Sequence, residues 1–329
     1  MEIRNAHADY DVLGIGSALL DLTITVSEED LARLGLSKGG MLLIDEKRSE
    51  EILWSLEGRP MVVTPGGSSA NTLAGVAAMG GRGVFLGSVG NDHHGDRYVK
   101  DTEEAGVKAD LRRHESLTGH AITLITPDSE RTFATHLGAA LLLDGDDVRD
   151  EDIRRSKILH VEGYLFEPPG PRDATLQALE MARKNGVLVS VDLSDPGLIG
   201  RIRGTLDGVV RDYADIVFAN EEEARAFTGK ERERALEELA KFCGFAAVKL
   251  GSEGSIIKSG NSVHRIAAFG TDVVDTNGAG DMYAAGVLFG LARGYDAERC
   301  GRIGSYVSSH VVSHVGARIQ GIISLEGIA

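Results

Sequence analysis

Apolar residues fall in short runs along the chain, and the runs change character from one end to the other. Asp11-Val-Leu-Gly-Ile-Gly16 reads as a buried strand, and Leu19–Val26, β-branched and close to alternating, reads as a second. Ser27-Glu-Glu-Asp30 places acids behind a capping serine and opens a short helix. A third strand is predicted at Met41–Ile44. Ser68–Met79 is rich in Ala and Leu, is entered through Pro65-Gly66-Gly67, and reads as a buried helix. Val84–Val89 is the next strand, and Gly95–Ala105 is an amphipathic helix ended by Gly106.

From Leu111 to Leu137 the texture changes. Ala121–Thr126 and Arg131–Thr135 read as two strands around the turn Pro127-Asp-Ser-Glu130. A helix-poor stretch inside an alternating chain predicts a small sheet built from two insertions, at about 18–45 and 111–137. After Asp144 the alternation becomes regular. Strands are predicted at Ile158–Val161, Leu188–Asp192, Ile216–Ala219 and Ala246–Leu250. Helices at Arg172–Lys184, Glu221–Thr228 and Glu233–Cys243 lie between them. Strands separated by helices imply crossovers and a mostly parallel sheet covered on both faces, so the expected fold is one α/β domain over 1–329. Ligands of such sheets bind beyond the carboxyl ends of the strands. There is no internal repeat.

Composition narrows the classes. With 42% hydrophobic and 26% charged residues in 329, a disordered tail or a coiled-coil rod is excluded. The 42 glycines follow no Gly-X-Y period, which excludes collagen and points to tight turns or backbone close to a ligand. A net charge of −15 makes nucleic acid and anionic membranes poor partners. Cys243 and Cys300 form neither a metal spacing nor a disulfide framework, which fits packed thiols in a reducing cytoplasm. Met1–Asn5 lacks the features of a signal peptide, and no apolar run approaches the ~18 residues of a membrane span, so a cytoplasmic protein is expected.

Three stretches carry candidate chemistry. Asp275-Thr-Asn-Gly-Ala-Gly-Asp281 leads straight into an apolar helix. Unhindered N–H groups at Gly278, Ala279 and Gly280 would cradle an anion, and Asp281 beside it would take a proton from an alcohol. The bland alternative is a turn followed by a carboxylate that complements the helix dipole. Gly66-Gly-Ser-Ser-Ala-Asn71 lets backbone approach a polar ligand, or is an ordinary helix start. Asn220-Glu-Glu-Glu223 has the spacing of a capping arrangement; the alternative is an amide and a carboxylate that orient water around Mg²⁺. Other signals are weaker. Gly14-Ile-Gly16 lacks the third glycine of a dinucleotide fingerprint, and there is no phosphate-binding P-loop. His310 and His314 read as packing, and Lys230–Glu238 as a solvated helix face.

Taken together, the 66–71 and 275–281 strings resemble the two signatures of the PfkB (ribokinase-like) carbohydrate and nucleoside kinases. The likeness extends over nearly the whole chain and includes Gly14–Asp21, Asn220–Glu223 and Lys249-Leu-Gly-Ser-Glu-Gly254. It implies a Rossmann-like α/β domain with a small β-lid and transfer of the ATP γ-phosphoryl group to a primary hydroxyl of a nucleoside or sugar. By the same resemblance Asp281 is the base, and Gly278, Ala279 and Gly280 form the anion hole. Asp21, Gly67 and Asn71 hold the acceptor, with Ser17 and Gly66 beside them. Asn220 and Glu223 are linked to Mg²⁺, and Asn220, Lys249, Gly251 and Gly254 border ATP. Asp275 and Asn277 sit at a monovalent-cation loop for K⁺. The lid is a surface through which such proteins dimerise. Arg131, just after the lid turn, reaches the transferred phosphate or is an exposed turn arginine. Leu19-Leu-Asp21, Gly39–Ile44, Asp192-Leu-Ser194 and Phe218-Ala-Asn-Glu221 look most like the adenosine kinase branch. Ser17 departs from it, since that branch usually carries Asn there; ribose, fructose and 2-keto-3-deoxygluconate are the alternative acceptors. A non-catalytic sensor on the same scaffold would be signalled by loss of the base or the glycines, and both are present.

Overall fold

The computed structural model describes residues 8–128 and 130–328. The readings of Met1–Asn5 and of Ser129 in the lid turn lie outside the described residues. In chain order the strands are β1 (Tyr10–Ile15), β2 (Leu19–Thr25), β3 (Met41–Leu43), β4 (Met61–Pro65), β5 (Gly83–Gly90), β6 (Val107–His114) and β7 (Gly119–Ile125). They continue with β8 (Arg131–His136), β9 (Ser156–Glu162), β10 (Leu188–Asp192), β11 (Ile216–Asn220), β12 (Phe245–Lys249), β13 (Ser255–Ser259) and β14 (Ser262–Ile266).

Nine strands form one sheet in the order β14-β13-β12-β11-β10-β9-β1-β5-β6. It is parallel from β12 to β6, and β13 and β14 add an antiparallel hairpin at one edge. Every residue of β5, β9 and β10 is buried, as parallel strands covered on both faces require. Alternate residues feed two cores. Leu13, Leu159, Val189 and Val217 face one core with Ala178 and Leu206 of the helices Pro169–Asn185 and Pro196–Asp212. Val12, Ile158, Ile216 and Phe218 face the other, against Leu73, Met282 and Ile303 of the helices Ser68–Ala78, Ala279–Ala292 and Ala297–Val311.

Glycines inside these last three helices let them pack closely. A Cβ on Gly286 would lie 2.6 Å from the Gly304 Cα, and one on Gly75 would lie 2.6 Å from the Ala285 Cβ. Part of the glycine excess is therefore helix packing, which composition alone assigns to turns and ligand loops.

The second sheet has the order β3-β8-β7-β2-β4. β2 and β8 alternate between buried and half-buried positions. Leu20, Leu22 and Ile24 join Ile122 and Leu124 in a core shared with Leu31 and Ile52 of the helices Glu28–Arg33 and Glu46–Ser55. Two boundaries differ from the sequence reading. The stretch from 111 opens inside β6, which pairs with β5 in the large sheet. β4, which the reading omits, pairs with β2 in the small one. β4 is a short, largely exposed edge strand ending in Pro65 and has no alternation to betray it. The helix Pro196–Asp212 is likewise unread, because Gly197, Gly200, Gly204 and Gly208 depress its helical propensity.

Candidate active site

Four neighbouring parallel strands end in a polar residue: Glu162 on β9, Asp192 on β10, Asn220 on β11 and Lys249 on β12. Register sets Asp192 beside Glu162 and Asn220 beside Lys249. The Lys249 Nζ donates to the Asp192 Oδ2 at 3.1 Å. Burial presses the Lys249 pKa down, but the carboxylates of Asp192 and Glu223 prevail and hold it above the ordinary lysine value. Glu223 is buried, and burial, partly offset by Lys249, raises its carboxyl above the usual range. Its capping box is complete. The Asn220 N and Nδ2 donate to the two Glu223 oxygens at 2.8 and 2.7 Å, and the Glu223 N donates to the Asn220 Oδ1 at 2.8 Å.

Facing these strand ends is the start of the helix Ala279–Ala292. Gly278 has φ +74°, and a Cβ there would lie 2.5 Å from the Ala317 carbonyl oxygen, so only glycine fits. No side chain caps this helix, but the Ala279 N donates to the Thr276 carbonyl oxygen at 3.2 Å, so of the expected anion hole Ala279 is engaged within its own turn and Gly280 is left to offer an N–H to an anion. A Cβ on Gly280 would lie 3.1 Å from the Lys249 Nζ, so the ammonium stands over the same turn. Asp281 joins the two sequence strings: Ser68 Oγ donates to its Oδ1 at 2.7 Å and Asn71 Nδ2 to its Oδ2 at 3.0 Å. Burial raises the Asp281 carboxyl to about 6 against these two donors.

On the lid side, Asp21 stands at mid-strand on the half-buried face of β2. Burial raises its carboxyl to about 6 even though Arg318 and Arg131 oppose the rise. Gly66 and Gly67 approach this region closely: a Cβ on Gly66 would lie 2.8 Å from an Asp21 oxygen, and one on Gly67 would lie 2.2 Å from the Ser17 carbonyl oxygen. Arg131 is neither free nor confined to an exposed turn, since its Nη2 lies 2.9 Å from the Asp275 Oδ2 and links the lid to the 275–281 loop. Asp275 also accepts from the Asn277 N at 2.9 Å and the Gly316 N at 3.0 Å. A cation on Asp275 would therefore stand against a guanidinium, and in this arrangement the loop does not fit K⁺.

Three further residues stand out only in the structure. Glu162 accepts from the Ser17 N and the Ser69 N, both at 2.9 Å, and burial raises its carboxyl to about 7. Asp192 is the partner of Lys249. Arg318 donates to the Asn71 Oδ1 at 2.9 Å and the Gly66 carbonyl oxygen at 3.2 Å. A polar residue closing an apolar run is the sequence signal for Glu162 and Asp192. Arg318 carries none, because it lies in a loop more than 200 residues from its partners.

A cleft of about 490 Å³ runs from this helix start. Lys249, Gly251, Gly254, Phe269, Ala279 and Gly280 are among its lining residues, so three of the residues expected to border a nucleotide line one cavity with part of the expected anion hole. Residues 43–322 match the pfkB family of carbohydrate kinases. The chain belongs to that family. Its members are phosphotransferases that use ATP, and so is this protein. Similar proteins include the crystal structure of adenosine kinase from Sinorhizobium meliloti, 39% identical with a TM-score of 0.86, covering 95% of this chain and 96% of that one. The adenosine kinase of Saccharomyces cerevisiae is 29% identical over 329 residues, 92% of this chain and 94% of that one. The 5-dehydro-2-deoxygluconokinase of Bacillus licheniformis is 31% identical over 264 residues, 75% of this chain and 80% of that one. The nine-stranded sheet flanked by helices, with its second small sheet, is the ribokinase-like fold of the family.

Proposed function

We propose that this kinase transfers the ATP γ-phosphoryl group to the 5′-hydroxyl of a nucleoside, with adenosine as the leading acceptor. The observation that carries the chemistry is the Asp281 carboxylate, held by Ser68 and Asn71 beside an uncapped helix start. An alcohol is a poor nucleophile until its proton has somewhere to go. Asp281 accepts that proton, and the Gly280 N–H after Gly278, with the Lys249 ammonium over the same turn, stabilises charge on the transferred group. Asp21, Gly66, Gly67, Asn71 and Ser17 face the acceptor. Gly251 and Gly254 border the nucleotide. The nucleoside reading draws on the likeness to adenosine kinases along almost the full chain.

Asn220 and Glu223 fit a Mg²⁺ role at one remove. Each Glu223 oxygen accepts one bond within the capping box and retains a further lone pair for a water. Mg²⁺ bound with the nucleotide would neutralise phosphate charge, and Glu223 would orient its water.

A sugar acceptor is the second reading, favoured by Ser17 and by the likeness to 5-dehydro-2-deoxygluconokinase. ATP turnover with adenosine, other nucleosides, ribose, fructose and 2-keto-3-deoxygluconate decides between them: activity confined to sugars overturns the nucleoside reading. The lid is also proposed as a homodimer surface, since Met41, Leu42, Leu43 and Val62 on its two edge strands are exposed; sedimentation tests it. Two free cysteines support a reducing, cytoplasmic setting. Among the described residues no helix is long and apolar enough to cross a membrane.

A further inference from the structure

We infer that Arg318 is a positioning residue for the base: it locks the Asn71 amide so that only its NH₂ group faces Asp281. A guanidinium can only donate and an ionised carboxylate can only accept. Asn71 lies between one of each, with its Oδ1 2.9 Å from the Arg318 Nε and its Nδ2 3.0 Å from the Asp281 Oδ2. Both ends of the amide are therefore determined by charge.

Arg318 is itself held. Its Nη2 donates to the Gly66 carbonyl oxygen, which also accepts from the Tyr98 hydroxyl at 2.9 Å. Two residues earlier, the Gly316 N is tied to Asp275, and the Ala317 carbonyl oxygen packs on Gly278. The loop that covers the helix start thus also carries the arginine that orients its neighbour.

Without Arg318 the amide is free to turn. Its oxygen then faces Asp281, an arrangement that repels the carboxylate and accepts from the carboxylic acid. Turning and protonation are coupled, so Arg318 favours the form that can take the acceptor's proton. The other groups facing Asp281 are Ser68, Lys249 of β12, Asp192 of β10 and Glu162 of β9, and none of them changes in an Arg318 variant. Asp21 and Tyr98 face Arg318, and Arg131 and Asp275 stand beyond Asp21. Loss of Arg318 also raises the Asp21 pKa, which affects acceptor binding and not the step at saturation.

This rests on Asp281 being the base. The test is kcat against pH for ATP and adenosine at saturation, in the wild type, Arg318→Met, Arg318→Lys, Asn71→Ala and the Arg318→Met/Asn71→Ala double variant. The acid limb is expected to move up by roughly one pH unit in Arg318→Met, with kcat about fivefold lower near pH 6, approaching tenfold lower below pH 5, and within about threefold above pH 8. Asn71→Ala gives the same shift, the double variant adds nothing further, and Arg318→Lys recovers part of it. A ¹³C titration of the Asp281 carboxyl reads the same shift without any acceptor. An unmoved carboxyl titration in Arg318→Met and Arg318→Lys, or a double variant that shifts additively, overturns the assignment. A fully active Asp281→Asn variant instead removes the base reading on which it stands.

Discussion

The nine-stranded sheet delivers Glu162, Asp192, Asn220 and Lys249 from the last positions of adjacent parallel strands, whereas the five-stranded sheet delivers Asp21 and Arg131 from one face of its strands. In the first case backbone register sets the spacing, and layers on both faces exclude water. Charges there are desolvated and must pair, as Lys249 does with Asp192 and Glu223. In the second case the period-two alternation sets which groups look inward, and that face stays half-buried. Arg131 reaches across to Asp275 instead of pairing within its own sheet. The large sheet thus works as a rigid frame for charge, and the lid as a surface whose polar groups act by reaching.

Removing one charge from each sheet is the most direct way to break this comparison. Lys249→Met leaves Asp192 and Glu223 buried without their cation and should lower unfolding stability by about 3–5 kcal/mol. Denaturant unfolding that changes by under 1 kcal/mol would show that the strand-end charges are hydrated after all. Asp281→Asn keeps size but cannot take a proton, so kcat should fall by at least ~10² with the fold retained. Full activity with a lowered melting temperature would reduce Asp281 to a dipole partner, a role worth roughly 0.3–1 kcal/mol.

The same carboxyl sets the pH response. It titrates at about 6, and the ionised form is the base, so kcat should fall as pH drops through that value, by about tenfold per unit below it. A rate that is flat from pH 7 to 5 would assign the proton elsewhere. Arg131→Ala, on the lid, should lower kcat by roughly tenfold, more than it raises the acceptor KM, and should cost less stability than Lys249→Met. Steady-state kinetics beside a melting curve checks both parts. The smallest effect expected is a few-fold rise in the Mg²⁺ needed for half-maximal rate in Glu223→Gln. An unchanged Mg²⁺ titration would leave Glu223 as a helix cap alone.

Local pattern carries much of this protein. The alternation of strand and helix after Asp144 gave the parallel sheet, because apolar runs covered on both faces cannot be mistaken once helices separate them. Ser27 and Asp30 form the capping box that their spacing foretells. The 275–281 string, with glycine where φ is positive and an acid in the first helical turn, discloses the candidate site by itself.

Tertiary structure decided the rest, and the reason is sequence distance. That Asp281 meets Ser68 and Asn71 depends on packing between two helices some 200 residues apart. Glu162 holds Ser17 and Ser69 only because β9 lies next to β1, and Arg131 finds Asp275 only because the lid folds over the loop. No periodicity encodes such meetings, since the hydrophobic pattern records which face of an element is buried and not which element covers it.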